Sequence, residues 1–311
     1  MNHGLLLIDK HAGCTSHDVV QQGRRLLRQR KVGHCGTLDP AATGLLVLTA
    51  GNATRLTRFL IRAPKVYSGT IRFGIETDTY DGAGQVVAEQ PVEGLTEERI
   101  EAAMAGFVGE IDQFAPSYSA KKVKGQKLYE LARRGEEVPR ESKLVTIYEL
   151  LTTGPLAGDE IPFRLGCSSG TYARTLAHDL GQTLGCGGHL ASLRRLKVGS
   201  FAIEQATTIA ELEARAQQEE FLDAEDTTAF LGDSWIPFDQ IPLPFGEVIT
   251  DTQQQQRIQQ GQTILARDLE GEEGDWVKVV GRRGRFIAVG SIIERIGGRN
   301  VGVIQPKVVF K

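Results

Sequence analysis

The chain has 311 residues, of which 41% are hydrophobic and 24% charged, so it can bury a substantial core and is not generally disordered. Its formal net charge of −3 argues by itself against a nucleic-acid partner. The N-terminal residues lack the pattern of a signal peptide, and the longest apolar runs, such as residues 45–48, are too short to span a bilayer, so a cytoplasmic location without membrane contact is expected.

The first fifty residues predict two buried strands and a helix around a loop of small residues. Residues 4–10 form an apolar run that ends in charge, as a short buried strand does, and residues 45–49 form a second such run. Thr15 and Asp18 have the spacing of a capping box, so a helix is expected to begin there. The loop GHCGTLDPAATG, residues 33–44, carries a single carboxylate.

The rest of the chain predicts further strands and helices and ends in a strand-rich module. Three prolines between residues 236 and 245 exclude a helix there and mark a boundary between domains at residues 1–236 and 246–311. The class is therefore α+β, with a sheet-based first domain and a small all-β second domain. Helices are predicted at residues 52–60, 128–133, 170–184 and 209–217 and after Thr96, and strands at 66–74, 144–152, 161–167, 276–280, 285–289 and 301–310.

Basic residues are segregated along the chain in spite of the negative net charge. One basic cluster is typical of a solvated helix face, but three clusters leave a polyanionic partner equally open, because neutralising phosphates takes several cations. The clusters consist of Arg24, Arg25, Arg28, Arg30 and Lys31, then of Lys121, Lys122, Lys124, Lys127, Arg133 and Arg134, and then of Arg194, Arg195 and Lys197.

Asp39, the single carboxylate of the loop, is a candidate for a chemical role. Pro40 biases Asp39 toward an extended backbone, and Gly36 and Gly44 permit tight geometry on either side. Rigid, exposed bends of this kind often hold a functional side chain. A purely structural aspartate, which accepts hydrogen bonds from nearby backbone N–H groups, is the alternative interpretation.

Neither a metal nor an organic cofactor is indicated by the sequence. It contains no phosphate-binding G-x-x-x-x-G-K-[ST] loop and no H-E-x-x-H zinc motif. The cysteines form no C-x-x-C pair, so a zinc ribbon and a thioredoxin-type site are both excluded, and scattered thiols fit a reducing cytoplasm.

Six segments, taken in order, resemble the TruB family of tRNA pseudouridine synthases. Together they cover residues 4–205, and residues 246–311 resemble the PUA domain of that family by position and strand character. The segments are GLLLIDKHAGCTSHDVV, VGHCGTLDPAATGLLVL, KVYSGTIRFGIETDTYDGAG, APSYSAKKVKGQKLYELARRG, CSSGTYARTLAHDLG and HLASLRRLKVGSF.

The resemblance implies a mixed-sheet pseudouridine synthase domain with a basic insertion at residues 112–143, followed by a PUA-like RNA-binding domain. The implied reaction flips the uridine at position 55 out of the T arm of tRNA and isomerises it to pseudouridine. No cofactor takes part in the family's reaction. The chain is expected to act on tRNA as a monomer that needs no protein partner.

The resemblance also implies roles for individual residues. Asp39 matches the essential aspartate, which acts as nucleophile or stabilises the broken bond between sugar and base. Tyr67 matches the tyrosine that packs on the target base, and Arg174 matches the arginine that pairs with the aspartate. Leu193 matches an apolar residue of the uracil pocket, and His34 matches the histidine that fills the space left by flipped nucleotides. The expected substrate-binding set is completed by Tyr172, by Lys10 as a contact of the loop, and by Lys121, Lys122 and Lys124 as phosphate contacts.

Three other functions are compatible with parts of the sequence. A guide-RNA-dependent pseudouridine synthase shares the aspartate loop and the PUA domain but lacks the basic insertion. A non-catalytic chaperone that folds tRNA would use the same surface and would need no carboxylate facing the RNA. A sugar hydrolase normally requires two carboxylates that flank the bond, and Asp81 is the other candidate for that role.

Overall fold

The computed structural model describes residues 1–114, 116, 122–123, 126–127, 142–218, 228–297 and 300–310. The helix predicted at residues 128–133 lies outside these residues. Within them, the α-helices are α1 (Ser16–Leu26), α2 (Thr57–Leu60), α3 (Glu97–Ala105), α4 (Ala173–Leu184), α5 (Ile209–Arg215) and α6 (Thr252–Gln259), and 3-10 helices span Gly51–Leu56, Ile203–Gln205, Ala229–Ser234, Phe238–Gln240 and Arg282–Gly284.

The strands form two main sheets, and their order in the chain differs from their order in space. They are β1 (Gly4–Lys10), β2 (Val32–His34), β3 (Thr43–Ala50), β4 (Lys65–Phe73), β5 (Ile75–Thr77), β6 (Val86–Glu89), β7 (Gly109–Phe114), β8 (Lys122–Val123), β9 (Gln126–Lys127), β10 (Ser142–Thr152), β11 (Glu160–Cys167), β12 (Gly188–Val198), β13 (Phe201–Ala202), β14 (Trp235–Pro237), β15 (Glu247–Ile249), β16 (Ile264–Ala266), β17 (Trp276–Val280), β18 (Phe286–Arg295) and β19 (Gly302–Val309).

The larger sheet is mixed and follows the order β14-β1-β3-β12-β4-β11-β10-β7. Its neighbours are antiparallel except for β3 and β12, which run parallel. The C-terminal sheet follows the order β15-β17-β18-β19-β16. The predicted α+β class, with a mixed-sheet domain followed by a small strand-rich module, is confirmed. The module predicted as all-β also contains α6, whose Ile258 is buried in the core of the module.

The apolar runs of β1 and β3 are explained by burial on both faces of the sheet. Leu5 and Leu7 point to one side and Leu6 and Ile8 to the other, as strand geometry requires, and all four side chains are at most 1% exposed. One side packs under α1 and α5, and the other joins a cluster that includes Phe286 of the C-terminal sheet. β3, which follows the loop of Asp39, is buried in the same way and pairs with β1 along its length.

Local signals set most of the predicted helix ends. Thr15 accepts a hydrogen bond from the backbone N–H of Asp18, whose carboxylate accepts one from the N–H of Thr15, so the predicted capping box is confirmed. Gly185, with φ of 79°, ends α4 in the left-handed conformation that favours glycine. The segment predicted as one helix at residues 52–60 is a 3-10 helix followed by the single turn α2.

Aromatic rings join the C-terminal sheet to the larger one. Phe59 makes edge contacts with Phe245 and Trp276, at centroid distances of 5.5 and 5.0 Å. Phe238 stacks on Phe286 at 5.0 Å. Ring pairs of this geometry add stabilisation beyond the burial of their area, so the two sheets share one core.

Candidate active site

A cleft of about 360 Å³ lies where the loop after β2 faces β4, β12 and the beginning of α4. The predicted residues Asp39, Tyr67, Arg174, Tyr172 and Leu193 all line it, although they come from four distant parts of the sequence. The other lining residues are Gly36, Thr37, Leu38, Ile61, Lys65, Ser168, Gly170, Thr171, Ala173 and Arg195.

The loop that carries Asp39 is held at several points by the surrounding structure. The hydroxyl of Ser16, at the start of α1, accepts from the N–H of Leu38 at 2.8 Å and donates to its carbonyl at 3.0 Å. The backbone N–H of Gly13 donates to the carbonyl of Pro40 at 2.9 Å. Within the described residues no hydrogen bond to the Asp39 carboxylate is found, so this side chain does not serve as a turn acceptor, and 46% of it is exposed.

Arg174 stands between two carboxylates. It lies in the first turn of α4 with only 8% of its side chain exposed, and its Nε is 3.7 Å from Oδ2 of Asp39. Its other arm places a terminal nitrogen 3.5 Å from Oδ2 of Asp81. Asp81 also accepts hydrogen bonds from the hydroxyl of Thr79 and the N–H of Ala83, as expected for a turn residue. One cation therefore lies within ion-pair distance of both carboxylates and attracts both.

Tyr67 lies on β4 and packs against the core beneath the cleft. Burial raises the pKa of its phenol, and the positive charge of Arg195 opposes that rise. The phenol is therefore protonated near neutral pH and can donate a hydrogen bond to a bound base. Leu193, on β12, is the cross-strand partner of Gly69 and supplies an apolar wall.

Arg195 is a part of the site that the sequence interpretation missed. The sequence groups Arg195 with Arg194 and Lys197 in a basic cluster, but Arg195 is only 1% exposed. Arg194 is also engaged, because its two terminal nitrogens lie 3.0 and 2.6 Å from the carboxylate oxygens of Asp9. In the third predicted cluster, Arg195 is therefore buried and Arg194 is paired with Asp9, whereas Lys197 is exposed.

Lys65 is a second buried cation that the sequence interpretation missed. Its ammonium donates to the carbonyls of Ile61 and Ala63 at 2.5 and 2.6 Å. Burial, followed by the charge of Arg195, lowers the pKa of Lys65 to about 8. No local pattern marks Lys65, since a lysine that begins a strand is ordinarily solvated.

His34, Tyr172 and Lys10 support the site from its margins. His34 ends β2, and its Nδ1 accepts from the N–H of Gly36 at 3.3 Å. Burial lowers the pKa of His34, so its ring is neutral near pH 7. Tyr172 precedes α4 and exchanges two hydrogen bonds with Gln113 through its backbone. Lys10 is 1% exposed and donates to the carbonyls of His11 and Pro40, so it contacts the loop of Asp39 from below.

The predicted phosphate contacts of the insertion fall largely outside the described residues. This holds for Lys121 and Lys124, whereas Lys122 begins β8, which pairs with β9. In the described part of the chain no group of three or more His, Cys, Asp or Glu could hold a metal ion. Among the same residues, no helix is long and apolar enough to cross a membrane.

Three family models match the chain in succession. Residues 24–173 match the TruB family pseudouridylate synthase N-terminal domain, residues 174–239 match the tRNA pseudouridylate synthase B C-terminal domain, and residues 246–310 match the pseudouridine synthase II TruB C-terminal domain. The three matches leave few residues of the chain uncovered, and the N-terminal match includes both Asp39 and Tyr67.

Curated relatives match the chain over almost its whole length. The tRNA pseudouridine synthase B of Solibacter usitatus is 43% identical over 93% of this chain and 96% of the relative. That of Aromatoleum aromaticum is 44% identical over 92% of this chain and 88% of the relative.

Two solved structures share the fold. A chain in a Cbf5-Nop10-Gar1 complex superposes with a TM-score of 0.76 over 100% of this chain and 85% of that chain, at 24% identity. A chain in an H/ACA RNP bound to a substrate RNA containing 2′-deoxyuridine gives a TM-score of 0.75 over 99% of this chain and 85% of that chain, at 22% identity. At this level of identity the likeness concerns the fold alone.

Proposed function

Because the chain belongs to the TruB family of pseudouridylate synthases, we propose that it isomerises the uridine at position 55, in the T arm of tRNA, at the cleft around Asp39. Its relatives at 43 and 44% identity are tRNA pseudouridine synthases B, so the chain is an enzyme that forms pseudouridine in tRNA. The position in the tRNA, the flipping of the base and the role of the aspartate are the content of the proposal.

The observation that carries the proposal is the meeting of three groups in one cleft. A half-exposed carboxylate, a protonated phenol and a largely buried guanidinium line it together, and they belong to Asp39, Tyr67 and Arg174. A carboxylate can attack an electron-poor sugar carbon, and an aromatic ring can stack on a flipped base. The guanidinium lies 3.7 Å from the carboxylate and attracts its negative charge.

In the proposed reaction the carboxylate of Asp39 attacks C1′ of the flipped uridine. The bond between N1 and C1′ breaks, and its electron pair leaves with the uracil. The uracil turns so that C5 faces C1′, a bond between C5 and C1′ forms, and the carboxylate is released. The proton on C5 is lost and N1 gains one, so the product is an isomer of the substrate. Neither an oxidant nor a co-substrate is needed.

Access to the base requires that the uridine leave its stack in the RNA. Flipping costs a few kcal/mol, which contacts in the cleft and with the phosphate backbone must offset. We propose that Tyr67 and Leu193 contact the flipped base, that His34 occupies the space it vacates, and that the lysines of the insertion contact phosphates. Tyr172 closes the side of the cleft next to α4.

The proposal also assigns a function to each domain of the chain. Residues 1–236 form the catalytic domain, with the insertion at residues 112–143, and residues 246–311 form a PUA-like RNA-binding domain. The matches to separate N-terminal and C-terminal family models support this division. We propose that the protein acts in the cytoplasm as a monomer, without a protein partner.

The test is to treat an unmodified tRNA transcript with the purified protein and to map pseudouridine at nucleotide resolution. The proposal predicts one modified position, uridine 55. Modification at another position would refute the T-arm assignment. The absence of product from the bare transcript would favour a guide-RNA-dependent enzyme.

A further inference from the structure

We propose that Arg195 is a positioning residue, which holds the loop of Asp39 and the strand of Tyr67 in one fixed arrangement. This inference deepens the proposed function and rests on it, because it concerns the same cleft. It assigns no chemical step to Arg195 and no contact with the RNA.

The position of Arg195 in the sheet is the first support. β12 lies between β3, which continues from the loop of Asp39, and β4, which carries Tyr67. In the register of the sheet Arg195 pairs with Gly44 of β3 on one side and with Tyr67 of β4 on the other. The two strands that bring the proposed catalytic groups together are thus joined through this residue.

The hydrogen bonds of the guanidinium are the second support. Its Nε donates to the carbonyl of Leu45 at 2.7 Å, and its terminal nitrogens donate to the carbonyls of Gly36 at 3.0 Å and Thr37 at 3.3 Å. These acceptors lie on both sides of Asp39 in the chain. A guanidinium offers a rigid fork of N–H donors, whereas lysine has one nitrogen and cannot bridge the same set of carbonyls.

Close backbone approach at Gly44 is the third support. A Cβ at Gly44, where φ is +98°, would lie 2.3 Å from the carbonyl oxygen of Arg195. A side chain there would push β3 away from the backbone of Arg195 in β12. On the other side of the loop, a Cβ at Gly36 would lie 3.6 Å from a terminal nitrogen of Arg195. The loop therefore packs directly on the guanidinium.

The charge of Arg195 also reaches the cleft. Within the described residues no ion pair joins this guanidinium to a carboxylate, and besides the three carbonyls it hydrogen-bonds the phenol of Tyr67. Its charge lowers the pKa of Tyr67 against the larger effect of burial, while Cys167 and Asp39 act in the other direction. Removing the guanidinium is therefore expected to raise the pKa of Tyr67 further.

The experiment compares Arg195→Met and Arg195→Lys with Leu212→Ala, each in the full chain. Leu212 is fully buried in the core under α1, does not line the cleft, and controls for a loss of stability that leaves the loop intact. For both Arg195 variants we expect kcat on tRNA to fall about 100-fold, as a displaced catalytic group causes, with a dissociation constant for tRNA within about threefold of wild type. Leu212→Ala should keep its kcat at a temperature where it is folded.

One readout does not depend on the reaction. Amide hydrogen exchange at residues 36–38 should become about tenfold faster in the Arg195 variants, with unchanged protection in the core of α4. If wild type formed no pseudouridine in tRNA, the proposed function would fail while this readout still tested the role of Arg195.

Several results would overturn the inference. A kcat for both Arg195 variants equal to that of Leu212→Ala would show that the loop is positioned without the guanidinium. Unchanged exchange at residues 36–38 would have the same meaning. Loss of protection throughout the protein in both variants would show that Arg195 holds the fold as a whole and has no specific effect on the loop.

Discussion

Replacing Arg174 with methionine removes the cation that two carboxylates share. The distance from Arg174 to Asp39 is 3.7 Å, and Coulomb's law with an effective dielectric constant of about 20 gives about 4 kcal/mol for such a pair. Because 46% of the Asp39 side chain is exposed, solvent screening reduces this attraction to about 2 kcal/mol. If this attraction of about 2 kcal/mol is needed to orient Asp39, its loss should lower the single-turnover rate about 30-fold.

The assay for Arg174→Met is single-turnover formation of pseudouridine at saturating enzyme, so that weakened tRNA binding does not enter the rate. Arg174→Lys retains a charge and loses the fork that reaches both carboxylates, so its rate should lie between those of methionine and wild type. Asp81→Asn serves as the partner control, because it removes the charge of the other carboxylate, which lies 3.5 Å from Arg174. A rate for Arg174→Met within twofold of wild type would refute the pairing argument.

Three further predictions concern the loop, a buried cation and the insertion. Ser16→Ala removes both hydrogen bonds to the backbone of Leu38, so urea titrations should show a free energy of unfolding lower by about 1–3 kcal/mol. No measurable loss of stability would show that other contacts hold the loop. Burial lowers the pKa of Lys65 to about 8, below the value of about 10.4 in the unfolded state, so the unfolded state binds more protons and the free energy of unfolding should rise between those two pH values. Lys65→Met should lack this part of the rise. An identical dependence of the unfolding free energy on pH in the variant would contradict the burial of the charge. Replacing three lysines of the insertion with glutamine should weaken tRNA binding and flatten its dependence on salt, and an unchanged salt slope would argue against phosphate contacts by Lys121, Lys122 and Lys124.

Local sequence signals were sufficient for the elements that flank the loop. The apolar runs of β1 and β3 and the capping box of α1 depend on neighbouring residues, so the sequence alone predicts them. The strand β12 was not predicted. It lacks a regular alternation of apolar and polar residues, and register shifts occur after Leu190 and after Arg195. Such bulges break the period of two on which a strand prediction depends.

The candidate site was only partly predictable, because its contacts are long-range. The residue type and the bend around Asp39 made it a candidate, but its pairing with Arg174 was inferred from the family resemblance and not from any local pattern. The role of Arg195 could not be predicted from the sequence for a different reason. Its acceptors, such as the carbonyls of Gly36 and Leu45, are about 150 residues away in the chain, and main-chain carbonyls carry no sequence signature. An arginine in a polar segment is therefore interpreted as exposed until the fold is known.

The most direct test of the account is the pseudouridine content of tRNA treated with Asp39→Asn, compared with wild type at matched tRNA occupancy. The carboxamide has nearly the shape of the carboxylate but cannot act as the nucleophile. The account predicts no modified uridine at position 55 and a tRNA affinity within about threefold of wild type. Turnover by Asp39→Asn at the wild-type rate would contradict the central claim that this carboxylate performs the chemistry.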